Sequence, residues 1–152
     1  AGSVRWGGRD IRALGEDYRT HIAYLGHLNA VNDDLTAIEN LLFAARLAAV
    51  ETDTGHALSV LAWFGLAAHL HQPCKTLSQG QRRRVALARL RLSVTKPLWI
   101  LDEPFAALDS AALALTQEML GSHLETGGMV ILTTHQDATI AARHTRQIDL
   151  GS

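Results

Sequence analysis

Leu98-Trp99-Ile100-Leu101-Asp102-Glu103-Pro104 is an apolar run that stops on two adjacent carboxylates. Four consecutive apolar residues, with no polar alternation, read as a parallel strand over 98–101 that is buried on both faces. The C-terminal edge of such a sheet is where α/β proteins bind their ligands. Successive strand residues point to opposite sides, so Asp102 and Glu103 should do different jobs. Asp102 suits Mg2+ coordination through a water, and Glu103 suits polarising a water for attack on a γ-phosphate. The same pair can also be read as a strand end whose acidic residues cap the next turn.

Moving downstream, a helix is expected across 111–124, ended by Gly127-Gly128. Met129–Thr133 then reads as a second buried strand, running into Thr134-His135. A histidine at that place can hydrogen-bond a γ-phosphate and sense its loss, although a lone strand-end histidine is also commonly just a satisfied polar residue. Asp137 can cap a further helix, and 146–150 reads as a last short strand. Upstream of the acidic run, Leu77-Ser78-Gln79-Gly80-Gln81 opens a long helix to about Ser93. Ser78 and Gln81 have capping-box spacing. The same geometry offers a phosphate free N–H groups, a positive dipole end, close approach at Gly80 and the Ser78 hydroxyl. Alternating strands and helices imply a parallel sheet covered on both faces.

The earlier part of the chain reads differently. Val4-Arg5-Trp6 with Gly7-Gly8 is a short strand and turn, 22–25 a second short strand, and 29–34 a polar loop. Thr36-Ala37-Ile38-Glu39 carries a capping box, and Ile38, Leu41, Leu42 and Ala45 stripe one face of the helix that follows. A second helix is expected over 57–64, stopped near Gly65, which gives a small helical layer. Repeats and linker-like tracts are missing, so one unit is the simplest organisation.

Length and composition fit this reading. A chain of 152 residues with 47% apolar content suits one α/β domain or a large piece of one. A net charge of −1 gives no electrostatic reason to expect nucleic acid as a partner. The single cysteine, Cys74, allows no internal disulfide and fits a reducing compartment. Apolar runs fall well short of the roughly 18–20 residues that cross a bilayer. No basic-then-apolar leader is visible, and the opening Ala1-Gly2-Ser3 reads as a chain entered partway through.

The signature-like loop at 77–81, the acidic strand end and His135 occur in the order and approximate spacing of ABC ATPases, which the chain resembles over nearly its whole length. Ala107-Leu108-Asp109 is similar to their D-loop. The run from Leu77 to Leu90, the stretch 97–109 and Gly127 through Gln136 look like the ATP-binding subunit of the cytochrome c maturation haem exporter. Tyr24-Leu25-Gly26-His27 points the same way, because His27 stands where most ABC proteins have a Q-loop Gln and that branch tolerates His.

The resemblance implies a P-loop NTPase-like α/β fold. Its parallel sheet would have helices on both faces and a helical subdomain at about 36–95, with the Walker B and switch-histidine part at about 96–152. It implies ATP and Mg2+, with Asp102 supporting the metal, Glu103 as general base and His135 on the γ-phosphate. Ser78, Gly80 and Gln81 would contact ATP held by the opposite subunit, Asp109 would lie at the dimer interface, and His27 would link the nucleotide site to a membrane partner. A peripheral position on the cytoplasmic face of a bacterial inner membrane is implied as well.

One departure stands out: these residues contain no G-x-x-x-x-G-K-[ST], the loop that cradles the β- and γ-phosphates. The expectation is a piece of an ATPase whose phosphate loop lies upstream of 4–6. Two other classes stay open, a soluble ABC ATPase outside transport and a non-catalytic module that lends only its signature loop. His69, His71 and Cys74 read as a polar loop rather than a metal site, and Trp63-Phe64 as packing of the helical layer. Arg82-Arg83-Arg84 occupies three successive helix positions, so its charges are expected to fan toward solvent or the sheet edge.

Overall fold

A computed structural model describes residues 2–135 and 140–148. At its start, β1 (Arg5–Trp6) and β2 (Arg9–Asp10) pair antiparallel across Gly7-Gly8. Both glycines sit at positive φ, +55° and +80°, as a two-residue hairpin turn requires. Asp10 accepts from Arg12 N–H at 2.8 Å and so caps α1 (Ile11–Leu14), which leads to α2 (Glu16–Thr20). These short pieces have no clear periodicity, and β2, α1 and α2 were not expected from sequence.

Among the described residues, the principal sheet has three parallel strands in the order β3 (Ile22–Leu25), β4 and β5. Here β4 covers Leu98–Asp102 and β5 covers Met129–Thr133. The register sets Ala23, Trp99 and Val130 side by side, and Leu25, Leu101 and Leu132 one step on. Between β3 and β4 lie α3 (Ala37–Leu47), α4 (Thr54–Trp63) and α5 (Gln79–Leu92). Between β4 and β5 lies α6 (Ser110–Glu125).

Both capping boxes form. Glu39 N–H donates to Thr36 Oγ1 at 3.3 Å while the Glu39 carboxylate accepts from Thr36 N–H at 2.8 Å. At α5, Gln81 N–H donates to Ser78 Oγ at 3.2 Å and Gln81 Oε1 accepts from Ser78 N–H at 2.8 Å. α4 begins earlier than its apolar stripe suggests, because Asp53 accepts from His56 N–H at 2.7 Å and holds the weak helix formers Thr54 and Gly55 in the first turn. At the other end of α6, Gly127 (φ +91°) and Gly128 donate to Leu124 and His123 carbonyls, a Schellman stop.

Trp99 organises the core. It is fully buried, its indole N–H donates to Ser93 O beyond α5 at 3.3 Å, and its ring stacks on His123 of α6 at 3.9 Å. α5 and α6 therefore lie against the same face of the sheet. The opposite face carries Tyr24, Ile100 and Ile131 in register, and Tyr24 and Ile131 are 63% and 58% exposed. Helical cover on that second face is only partial among the described residues, and the expectation of a fully buried β5 is corrected for that reason. Residues 146–148 form no strand, while Gln136, Asp137 and 149–150 lie outside the described residues.

His123 is buried between Trp99 and Gly128, where even a methyl group on Gly128 would stand 2.2 Å from the imidazole. Burial pushes its pKa below the ordinary 6.5, and nearby backbone of Met129 and Pro97 only partly offsets this. The folded state therefore favours the neutral ring. That contribution to stability is complete above about pH 6.5 and is lost as pH falls. Urea midpoints are expected to drop on acidification below about pH 6.5, and His123→Gln is expected to flatten that part of the profile; an unchanged slope would assign it to other groups.

Candidate functional site

The register places Asp102, the last residue of β4, opposite Thr133, the last of β5. Thr133 ties the two carboxylate-bearing residues together. Its hydroxyl donates to Asp102 Oδ1 at 2.6 Å, and its oxygens Oγ1 and O accept from Glu103 N–H at 3.1 and 3.2 Å. Glu103 sits in the left-handed region at φ +47°. For a non-glycine residue this costs about 1–3 kcal/mol and persists only where surroundings enforce it. His135 Nε2 lies 3.4 Å from Glu103 Oε1, with its ring otherwise exposed. The hydroxyl, two carboxylates and imidazole thus converge at the C-terminal edge of the sheet, a setting fit to orient a water and a charged oxygen ligand.

Arg83 enters this cluster from α5 at the sheet edge, the second of the two places expected for these arginines. Its side chain is buried, with only 3% of the residue exposed. Nη2 donates to Asp102 O at 2.8 Å and Glu103 O at 2.6 Å, while Nη1 donates to Gly26 O at 3.2 Å and Asn29 Oδ1 at 3.0 Å. Burial pushes the guanidinium pKa down, and the Asp102 and Glu103 carboxylates push it back up. The helical spacing holds the explanation: Arg83, Ala86, Leu87 and Leu90 stand at i, i+3, i+4 and i+7 on the buried stripe. That pattern was available in the sequence and would have found Arg83.

The flanking arginines also have partners. Arg84 Nη2 donates to Asp109 Oδ2 at 2.6 Å, while Asp109 Oδ1 caps α6 by accepting from Ala112 N–H at 2.8 Å. Arg82 pairs with Asp33 at 3.2 Å across the loop before α3. Arg89 donates to the carbonyls of Asn29 and Ala30, both at 3.2 Å. His27 therefore sits on a loop gripped by two arginines of α5, and with Asn29, Arg89 and Asp102 it lines a cleft of about 340 Å³.

Ser78 and Gln81 make their side-chain hydrogen bonds elsewhere. No hydrogen bond or ion pair among the described residues joins Ser78 or Gln81 to Asp102, Glu103 or His135. Gln81 gives its carbonyl to Ser78 N–H, so its amide nitrogen is left to donate to His69 Nε2 at 2.9 Å. His69 then carries its proton on Nδ1, facing Gln72 Oε1 at 3.2 Å. Cys74 is buried and accepts from Asn40 Nδ2 at 3.3 Å; burial pushes its thiol pKa up. Among the described residues, no three His, Cys, Asp or Glu side chains group to hold a metal. Phe64 is fully buried, and Trp63 meets it edge-on while Arg91 lies over the indole at 4.0 Å.

Gly80 has an intrachain reason to be glycine besides any ligand. A Cβ there would stand 2.7 Å from the carbonyl oxygen of Ala107, a residue itself held at φ +61°. Gly80→Ala is expected to push the 106–108 turn away and to cost about 1–3 kcal/mol, read as a lower thermal midpoint. An unchanged midpoint would mean that the turn yields freely.

The family model described as ABC transporter matches residues 1–106. The cytochrome c biogenesis ATP-binding export protein CcmA of Dechloromonas aromatica is 50% identical over 151 residues, 99% of this chain and 74% of that protein. The protein of the same name from Nitrosomonas europaea is 53% identical over 146 residues, covering 94% and 68%. Among solved structures, an ATP-binding subunit of an ABC transporter superposes with a TM-score of 0.73 at 26% identity. It spans 89% of this chain and 57% of its own. A dimeric, post-hydrolysis ATP-binding cassette bound to ADP and Pi gives a TM-score of 0.74 at 25% identity, over 90% of this chain and 63% of its own.

Proposed function

The chain belongs to the ABC transporter ATP-binding family, and from that membership we propose that the whole protein hydrolyses MgATP to drive export, in the haem-delivery step of cytochrome c maturation. The observation that carries the reading is the Thr133-bridged acidic strand end, with His135 3.4 Å from Glu103. Glu103 takes a proton from the attacking water, and His135 contacts the γ-phosphate. Asp102, oriented by Thr133, would hold Mg2+. One carboxylate with hard oxygen ligands from phosphate and water suits Mg2+, which rarely uses an all-protein cage. Bound there, the ion would offset charge that develops on the transferred phosphoryl group.

The dimeric state of a similar ATP-binding cassette supports a pair of subunits, arranged head to tail. In such a pair one subunit's signature loop meets ATP held by the other, and Asp109 lies at the interface. A phosphate loop from sequence outside residues 1–152 completes each site. The helical subdomain at about 36–95 and the remainder to 152 work as parts of one ATPase domain. His27, on its arginine-held loop, connects the site to integral membrane subunits at the cytoplasmic face of a bacterial inner membrane. No helix among the described residues is long and apolar enough to cross a membrane.

Steady-state MgATP hydrolysis by the whole protein, beside its Glu103→Gln form, tests the reading. Equal turnover by the two proteins would refute it.

A further inference from the structure

Glu103 is held from both sides. Its N–H is fixed by Thr133, and its carbonyl by Arg83 at 2.6 Å, in a backbone conformation that a non-glycine residue does not keep unaided. The other nitrogen of the same guanidinium grips Gly26 and Asn29, the residues on either side of the His27 turn. A planar guanidinium with its charge delocalised is rigid, so its two ends cannot shift independently. The loop has little slack of its own, since Arg89 holds Asn29 and Ala30 from the same helix.

We propose that Arg83 is a positioning residue that ties the His27 loop to the backbone of Glu103, so that displacement of the loop turns the carboxylate. This rests on Glu103 being the base in MgATP hydrolysis. All four acceptors of the Arg83 terminal nitrogens are protein oxygens, so the guanidinium holds backbone and loop in place. Its effect falls on the geometry of the chemical step rather than on nucleotide affinity. Lysine at 83 keeps the charge and three donors but lacks the planar fork that holds the loop and the strand end at one fixed separation.

The test uses the whole protein, with kcat and KM for MgATP measured for Arg83→Gln, Arg83→Lys, Asn29→Ala and Glu103→Gln. Arg83→Gln is expected to lower kcat by about tenfold or more with KM within about twofold, the signature of an interaction used only in the transition state. Arg83→Lys is expected to recover part of that loss. Should Arg83→Gln fail to fold, Asn29→Ala carries the test, because it removes one acceptor of the loop arm and strands no buried charge. It is expected to lower kcat by about threefold, at unchanged KM and thermal midpoint. Wild-type kcat in the Arg83 and Asn29 variants, with Glu103→Gln inactive, would overturn the inference and leave the base assignment standing. Retained turnover in Glu103→Gln would overturn the base assignment and this inference with it.

Discussion

Glu103→Gln in the whole protein is expected to keep MgATP affinity within about twofold while losing turnover by about a hundredfold or more. The substitution keeps shape and removes basicity. Both backbone ends of residue 103 are held by groups that ignore its side chain, Thr133 on the N–H and Arg83 on the carbonyl. The amide should therefore occupy the carboxylate's place and can still meet His135, which lies 3.4 Å from Glu103 Oε1. What it cannot do is accept a proton from water. General-base assistance is worth about 10²–10⁴-fold, and affinity for nucleotide draws on other groups. Single-turnover hydrolysis and equilibrium nucleotide binding, measured on the same preparation, separate the two terms. Wild-type kcat would remove Glu103 as base, and loss of binding with loss of turnover would assign it to holding substrate instead.

Much of the frame that presents this site could be read directly, because its signals are local. The capping boxes at Thr36 and Ser78 are formed by neighbours in sequence, and an apolar run such as 98–101 has few alternatives to a strand. Harder to read were features set by distant partners. Met129 and Ile131 look buried by hydropathy, yet they are exposed because α5 and α6 both cover the Trp99 face. α4 starts at Thr54 because the Asp53 cap outweighs the poor propensity of the residues it introduces. Arg83 was expected with Arg82 and Arg84 at solvent or the sheet edge, and it lies at the sheet edge. Position on the helix, rather than charge, separates it from Arg82 and Arg84, since only Arg83 falls on the stripe with Ala86, Leu87 and Leu90. The candidate site was legible as a set of strand-end residue types, whereas its wiring through Thr133 and Arg83 depends on side chains brought together from 19 to 57 positions away.

Residues 1–152 alone are expected to bind MgATP no more tightly than on the order of 1 mM, against roughly micromolar for a complete site, a loss of about 4 kcal/mol. Three features lead there. These residues contain no G-x-x-x-x-G-K-[ST], so neither a ring of backbone N–H groups nor its lysine is available to the β- and γ-phosphates. The helix N-terminus at Ser78 is partly spent on itself, because Gln81 N–H is taken by Ser78 Oγ and Ser78 N–H by Gln81 Oε1. The strand end presents Asp102 and Glu103, which repel a polyphosphate unless a cation and a phosphate loop stand between them. Calorimetric titration of this stretch with MgATP is therefore expected to show no saturable heat. The solution state must be checked in parallel, since Tyr24, Met129 and Ile131 leave an apolar sheet face open to self-association. A stoichiometric, micromolar isotherm from a monodisperse sample would mean that these residues hold nucleotide without a phosphate loop, and the two-part site would have to be abandoned.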